Sequence, residues 1–177
     1  MKRIELTKGF STIVDDDIYD WVKGMKWYAL STPSGKVYAM GAAKQLGTNR
    51  KDVMLHRVVL AAHTIKELDV DHINGDTLDN RKENLRLATR SQNLANQKKR
   101  EGTKYQYKGV FFDRIKNRFQ AGLTKDGKKY KTKRFNTIEE AALAWNELAI
   151  KHHGPFARLN VVTHTPGTPS NFAVSNT

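Results

Sequence analysis

Two alternating runs joined by an Asp-Gly pair place the strongest constraint on how this chain can fold. Residues 118–124 and 129–135 both alternate polar with apolar side chains, and Asp126-Gly127 lies between them. Alternation with a period of two is typical of a strand with one buried face, and Asp-Gly favours a tight hairpin turn. A strand-like run at 108–114 comes just before. We therefore predict a three-stranded antiparallel sheet in this part of the chain.

The two faces of this predicted sheet differ in their chemistry. Basic and polar side chains share one face, whereas aromatic and aliphatic side chains share the other. A helix is predicted to follow, because Asn136 or Thr137 can cap it and apolar residues recur with helical spacing at 141–149. Gly154-Pro155 is expected to end it. This helix would cover the apolar face and leave the basic face open.

Positive charge is concentrated in the same region. The 177 residues include 31 Lys+Arg and 18 Asp+Glu, a net charge of +13, and residues 98–134 alone carry +11. Charge that only kept the protein soluble would be spread more evenly, so this distribution favours a polyanionic partner, nucleic acid before an anionic membrane surface. No apolar run approaches membrane-spanning length, and the first residues lack the apolar core of a signal peptide. We expect a cytoplasmic protein with no membrane partner.

Three motifs in the basic region occur in the order found in a known DNA-binding domain. They are Tyr107-Lys108-Gly109-Val110, residues 135–142 and residues 154–160. Residues 105–160 thereby resemble the Apetala-type domain of plant ethylene-response factors and its phage relatives. The resemblance implies that the sheet docks on double-stranded DNA through Lys108, Arg118, Gln120, Lys129 and Lys131.

The charge pattern extends this predicted DNA surface, and the sequence limits what it can specify. The extension comprises Lys133 on the last strand and Lys98, Lys99 and Arg100 in the preceding linker. The plant factors carry further Arg and Trp side chains on the first strand, where this chain has Phe111, Asp113 and Ile115. The resemblance therefore transfers a mode of docking and not a base specificity.

A dense group of Asp, Asn and His residues lies at 69–97. The pattern predicts a short strand at 70–73, a turn at Asn74-Gly75-Asp76, a second strand at 85–89 and a short helix capped by Ser91. This order places Asp71 and His72 at the end of one strand. It places Asn93 in the first turn of the helix.

Three kinds of structure commonly contain such a group of residues. A calcium loop fails because the spacing of its oxygen ligands and glycine does not match any register here. An ordinary polar turn explains the acidic residues singly, but explains less well an adjacent Asp71-His72 pair followed by Asn84 and Asn93. Metal-assisted phosphodiester cleavage needs a neutral imidazole as base and a hard cation on oxygen ligands. The group supplies both.

Residues 55–97 resemble the HNH endonuclease family, in particular its phage and intron-encoded homing type. The resemblance depends on Leu55-His56-Arg57, on the run at 70–76, on the run at 79–85 and on Thr89-x-Ser91-x-Asn93. It implies that His72 is the general base, that Asn84 orients two loops, and that Asp71 with Asn93 holds one Mg²⁺ or Mn²⁺. The chain has no cysteine, so cysteine-ligated zinc, disulfides and thiol catalysis are excluded.

Several neighbouring residues compete for these roles. Asn80 and Asn96 are alternatives to Asn84 and Asn93, although their spacing fits the family pattern less well. His56 is interpreted first as a core or loop-bridging histidine, and second as an auxiliary of the site.

Taken together, the sequence predicts an α+β protein: a ββα-metal nuclease unit followed by a three-stranded antiparallel sheet packed on one helix. The expected segments are a β-rich lead-in (1–54), a nuclease core (55–97), a basic linker (98–104), a DNA-binding domain (105–160) and a flexible tail (161–177). We expect a monomeric, site-specific DNA endonuclease that needs no small-molecule cofactor. The alternative is a DNA-binding regulator with an inactive HNH unit.

Overall fold

A computed structural model describes residues 1–42, 52–62, 65–99 and 101–163 of the chain. It mixes helices with antiparallel sheets, which confirms the predicted α+β class. Most of the predicted tail at 161–177 lies outside the described residues, and so does the linker residue Arg100. Within those residues, no helix combines the length and the apolar character that crossing a membrane requires.

The chain divides into two compact units. The first unit comprises Met1–Lys98 together with His153–Arg158, and the second comprises Lys99–His152 together with the chain after Arg158. The predicted lead-in and nuclease core thus lie in the same unit. Their treatment as separate domains stays a prediction.

The first unit is built from short elements. A two-stranded hairpin is followed by one helix, a three-stranded sheet whose strands lie in chain order, a second short helix, a two-stranded sheet and a third helix. The bounds are β1 Lys2–Glu5, β2 Ser11–Val14, α1 Asp16–Val22, β3 Trp27–Ser31, β4 Val37–Ala42, β5 Asp52–Met54, α2 Leu55–Val59, β6 Asp69–His72, β7 Leu85–Ala88 and α3 Arg90–Asn96.

One hydrophobic core holds this unit together. Val14 and Val22 of the lead-in are fully buried in the same cluster as Leu55, Val58 and Leu85. Each such side chain contributes about 1.5–3 kcal/mol when it is removed from water. The lead-in therefore shares its core with the segment that carries the Asp, Asn and His residues.

Helix α3 begins two residues earlier than the sequence predicted. Thr89, and not Ser91, is the N-cap. The hydroxyl of Thr89 accepts a hydrogen bond from the backbone N–H of Gln92, and the Gln92 side chain accepts one from the backbone N–H of Thr89. This reciprocal capping box satisfies two backbone N–H donors at once. With the cap at Ser91, these two N–H groups would lose the side-chain acceptors that they have here.

The second unit has the predicted sheet and helix. Its strands β8 (Val110–Asp113), β9 (Arg118–Lys125) and β10 (Lys128–Phe135) are antiparallel in the order β10-β9-β8, and helix α4 spans Ile138–His153. Ala121 of β9 is buried together with Ala141 and Trp145 of α4. A β-carbon at Gly109 would lie 2.0 Å from Nε1 of Trp145, so only glycine fits against this indole.

A β-bulge in β10 changes which basic side chains share a face. Lys131 pairs with Gly122 and Arg134 pairs with Gln120, so two residues of β10 oppose Ala121. The bulge is stabilised by Thr132, whose hydroxyl bonds to both the backbone N–H and the carbonyl of Ala121. The strict alternation predicted for β10 was therefore wrong after Lys131. Arg134, and not Lys133, lies on the face that carries Lys131.

Candidate active site and nucleic-acid interface

The candidate active site begins with His72 at the end of β6. Pairing of β6 with β7 sets His72 opposite Leu85 and the neighbouring Asp71 opposite Arg86. His72 is buried, and its Nε2 lies 3.1 Å from Oδ1 of Asn80. Burial lowers the pKa of His72 below its usual value, although the hydrogen bond with Asn80 acts in the opposite direction. The imidazole is therefore neutral near pH 7, as a general base requires.

Asn84 joins the turn after this histidine to the loop before β7. Its Oδ1 accepts a hydrogen bond of 2.9 Å from the backbone N–H of Asn74, and its Nδ2 donates one of 2.8 Å to the carbonyl of Asp79. Its own carbonyl accepts from the backbone N–H of Ile73 at 2.8 Å. Asn84 does not contact the His72 ring through these bonds, so it acts on the loops and not on the imidazole.

The loop that Asn84 reaches is stiffened by an ion pair. Asp79 is buried, and the guanidinium of Arg81 donates to its carboxylate at 2.8 Å. This hydrogen bond lowers the pKa of Asp79. Asn74 also donates to Asp79, at 2.9 Å. Asp79 thus links the turn after β6 to the loop before β7.

Asp71, the predicted metal ligand, lies in a buried polar environment. Arg86 donates to its carboxylate from Nε at 2.9 Å and from Nη2 at 2.8 Å. Nδ2 of Asn96 lies 3.0 and 3.1 Å from the two carboxylate oxygens, and also donates to the carbonyl of His72 at 2.9 Å. The guanidinium of Arg86 lies over the ring of Phe156 and donates to the carbonyl of Pro155. The returning segment His153–Arg158 therefore supports the arginine that pairs with Asp71.

Asn93, the other predicted metal ligand, has a different partner. Its Nδ2 donates to the carboxylate of Asp69 at 2.9 Å, whereas Asn96 contacts Asp71. Positions three apart lie on one side of a helix, so both amides face the same strand, β6. The assignment of Asn93 and Asp71 to one metal ion stays a prediction, and the amide that bonds the Asp71 carboxylate directly is that of Asn96.

The donor chemistry of this site suits a hard cation. A carboxylate and asparagine amide oxygens are the ligand types that Mg²⁺ prefers, and Mg²⁺ usually takes only one or two carboxylates while keeping several waters. Across the described ranges, no group of three or more His, Cys, Asp or Glu side chains is placed to bind one ion. A magnesium site here would thus combine Asp71 with an asparagine oxygen, water and the substrate phosphate.

His56 packs beside the candidate base. The ring centroids of His56 and His72 are 5.1 Å apart with an edge-on arrangement, and the ring of Tyr38 lies 5.7 Å from that of His56. Burial, followed by the nearby His72, lowers the pKa of His56 to about 3. His56 is therefore a neutral ring that packs against the ring of His72.

The basic side chains and Gln120 on the sheet of the second unit fall into two groups. Lys129, Lys131 and Arg134 are exposed and, by the strand register, share a face with Arg118; we call these four residues the open face. Gln120 is buried, and its amide donates to the carbonyl of Thr132 at 2.6 Å. The register places Gln120 on the same side of the sheet, but its side chain is engaged in the sheet itself.

The other predicted basic contacts lie elsewhere. Nζ of Lys133 lies 5.6 Å from the ring centroid of Phe135, and Nζ of Lys108 lies 5.5 Å from that of Trp145. Lys98 is exposed and Lys99 is half-buried. Arg134, which sequence reasoning missed, pairs with Asp113 at 2.7 Å. Only the bulge reveals it, since alternation alone assigns Arg134 to the opposite face.

Comparison with known proteins places the polar cluster in a family. A family model described as an HNH endonuclease matches residues 53–95, which span β5 to α3. An uncharacterized HNH endonuclease of Acanthamoeba polyphaga mimivirus is 30% identical over 156 residues, which cover 88% of this chain and 77% of that relative. No solved structure matches the chain.

Proposed function

Because this chain belongs to the HNH endonuclease family, we propose that it hydrolyses phosphodiester bonds of double-stranded DNA with one divalent metal ion and His72 as general base. The observation that carries the proposal is that His72 is buried as a neutral imidazole and directly follows the buried Asp71 on β6, near enough for the Asp71 charge to act on its pKa. A base and a candidate metal ligand are thus adjacent on one strand. Asn84 holds together the turn and the loop that follow them.

In the proposed mechanism, His72 takes a proton from the water that attacks the phosphorus. Asp71 and Asn93 would hold Mg²⁺ or Mn²⁺, which supplies stabilisation of the charge that develops on the phosphate and the leaving oxygen. Asn84 keeps the turn after β6 and the loop at 79–81 at a fixed spacing, so His72 does not reorganise during the reaction. The expected products carry 5′-phosphate and 3′-hydroxyl ends.

The second unit is proposed to bind and position the DNA as an Apetala-type domain. Its open face carries four basic side chains on one side of a sheet, while α4 covers the other side. A β-sheet face can enter the major groove of DNA. A nuclease joined to such a domain would cut at defined sites, as homing endonucleases do. We propose that it acts as a monomer in the cytoplasm and needs no small-molecule cofactor.

Cleavage by the His72→Ala variant tests this proposal. We expect the variant to lose Mg²⁺-dependent cleavage and to keep DNA binding, because binding is assigned to the second unit. The measurement is cleavage of phage and host DNA with end mapping, with and without EDTA, beside a mobility-shift assay. The matched control is His152→Ala, since the ring of His152 packs against that of Tyr130 in the second unit, 3.8 Å between centroids. Full cleavage by His72→Ala would refute the assignment of the base.

One observation favours the alternative, a DNA-binding regulator with an inactive HNH unit. The carboxylate of Asp71 is bonded to both Arg86 and Asn96, and these partners compete with a metal ion for its oxygens. The alternative predicts sequence-specific binding without nicking in Mg²⁺ or Mn²⁺. Nicking of DNA by the wild-type protein in either metal would exclude it.

A further inference from the structure

A buried chain of hydrogen bonds connects the lead-in hairpin to the candidate base. It runs from the carbonyl of Leu78 through the hydroxyl of Thr12 and the amide of Asn80 to Nε2 of His72. Thr12 and Asn80 are each 1% exposed and His72 is 5% exposed, so water does not compete for these bonds. The proposed mechanism does not use Thr12 or Asn80.

The donor and the acceptor of every hydrogen bond in this series follow from the carbonyl of Leu78, where the series begins. A carbonyl oxygen only accepts, so Thr12 donates its hydroxyl hydrogen to Leu78, at 2.7 Å. The oxygen of Thr12 then accepts from Nδ2 of Asn80, at 2.7 Å. This turns Oδ1 of Asn80 toward the imidazole, and a carbonyl-type oxygen there requires a hydrogen on Nε2 of His72.

We infer that Asn80 and Thr12 are positioning residues that hold His72 as the tautomer with its hydrogen on Nε2, so that Nδ1 is the nitrogen that takes the proton from water. The inference rests on the proposed function only for the role of His72 in catalysis. The tautomer itself is a property of the folded chain and needs neither metal nor DNA. A neutral imidazole carries one ring hydrogen, so fixing it on Nε2 leaves the lone pair on Nδ1.

The inference gives the lead-in a part in catalysis. Strand β2 is joined to the loop at 78–80 by its backbone as well, because the N–H of Ile13 donates to Leu78 at 3.0 Å and the N–H of Asn80 donates to Ile13 at 2.9 Å. These bonds fix the position of Thr12 relative to Asn80. The base is thereby oriented from a segment more than fifty residues away in sequence.

The decisive measurement is the tautomer of His72 in the metal-free protein. Two-bond proton–nitrogen NMR correlations at the imidazole, recorded where His72 is neutral, show which nitrogen carries the hydrogen. We expect Nε2–H in the wild type. In Asn80→Ala and Thr12→Val, we expect signals of the Nδ1–H tautomer to appear, because no acceptor is then held toward Nε2.

The same variants should lose turnover. We expect kcat for cleavage to fall by about 10–100-fold, the range typical when an outer partner of a site residue is removed, with KM unchanged. Thr12→Ser keeps the hydroxyl and should restore most of the loss seen in Thr12→Val. Should Asn80→Ala fail to fold, the two Thr12 variants carry the test by themselves.

Thr77→Val is the matched control. Thr77 is also buried in the first unit, and its hydroxyl also donates to a backbone carbonyl, that of Val37. It is not part of the series of hydrogen bonds that ends at His72. We expect Thr77→Val to lower stability as Thr12→Val does, and to leave the tautomer and kcat unchanged.

The outcomes separate this inference from the proposed function. An unchanged tautomer in both Asn80→Ala and Thr12→Val would overturn the inference, while loss of cleavage by His72→Ala would still support the proposed function. Cleavage retained by His72→Ala would overturn the proposed function and the catalytic part of the inference together. A tautomer change and a fall in kcat that Thr77→Val does not share would support both.

Discussion

The polar groups of the two units differ in how they are held. In the first unit, Asn80 is 1%, Asp71 is 4% and Asn84 is 6% exposed, and each makes hydrogen bonds to other buried groups. In the second unit, the basic residues of the open face are exposed to water. Asparagine and acidic side chains thus form a buried hydrogen-bonded network in the first unit, whereas basic side chains form a solvated charged surface in the second.

This difference indicates how each unit responds to substitution. Removing one partner inside the buried network leaves another group without a hydrogen bond, which costs about 1–3 kcal/mol for each group. Removing one exposed charge leaves the neighbouring side chains hydrated. It lowers the affinity for DNA by a small amount, as a modest rise in salt concentration would. The first unit should therefore show large effects at single positions, whereas the second should show small, additive effects.

The largest effect is expected at Asn96. Its Nδ2 is bonded to the carboxylate of Asp71 and to the carbonyls of His72 and Ile73, so Asn96→Ala removes several hydrogen bonds at once, including the bond to Oδ1 of the buried Asp71. We expect a loss of about 2–3 kcal/mol in the free energy of unfolding, measured by urea denaturation.

Asn93→Ala is the matched comparison on the same helix. Asn93 is half-buried and its amide bonds to Asp69, so we expect a smaller loss of stability and a raised Mg²⁺ requirement for cleavage. If Asn96→Ala raised the Mg²⁺ requirement while Asn93→Ala left it unchanged, the amide ligand would be Asn96. Equal losses of stability in the two variants would contradict the description of the network.

An intermediate effect is expected from pH, through His56. Its pKa is about 3 in the folded protein and near 6.5 when unfolded, so the unfolded chain binds the additional proton below pH 6.5. The stability contributed by neutral His56 is complete above pH 6.5 and decreases as the pH falls toward 3. From pH 7 to pH 5 we expect a loss of about 2 kcal/mol, measured by urea unfolding.

His56→Phe keeps an aromatic ring beside Tyr38 and His72 but does not titrate. Its stability should depend less on pH between 7 and 5 than that of the wild type. The remaining dependence is assigned to His72, whose pKa is lowered in the same direction by burial. A His56→Phe variant with the full wild-type dependence would show that His56 is not responsible.

The smallest effects are expected on the sheet. Lys131→Ala removes a charge of the open face and should reduce the slope of log affinity against log salt concentration by about 0.9. Lys133→Ala also removes one positive charge, but the bulge turns Lys133 away from the open face. This variant should therefore reduce the slope of log affinity against log salt concentration less. Mobility-shift titrations at several salt concentrations measure both. Equal reductions would show that the bulge does not decide which lysine reaches DNA.

Local sequence patterns were sufficient for the strands, the turn and the helix of the second unit, but not for the bulge. Asp126-Gly127 forms the hairpin turn, with φ of 50° and 75° as such a turn requires, and the strands and helix follow from alternation and capping. The bulge at Thr132 was not predicted, because it is stabilised by a side chain of one strand bonding to the backbone of the next. Such a contact leaves no periodic signal in the sequence.

For the candidate site, sequence alone determined which residue types are present and where along the chain they lie: a histidine next to an aspartate, with asparagines at set distances. Only the tertiary structure decided which asparagine meets which partner, Asn80 with His72 and Asn96 with Asp71. It also brought Thr12 of the lead-in to Asn80, across 68 positions of sequence. Spacing along the chain constrains residues within one element, whereas these contacts depend on how separate elements pack around a shared core.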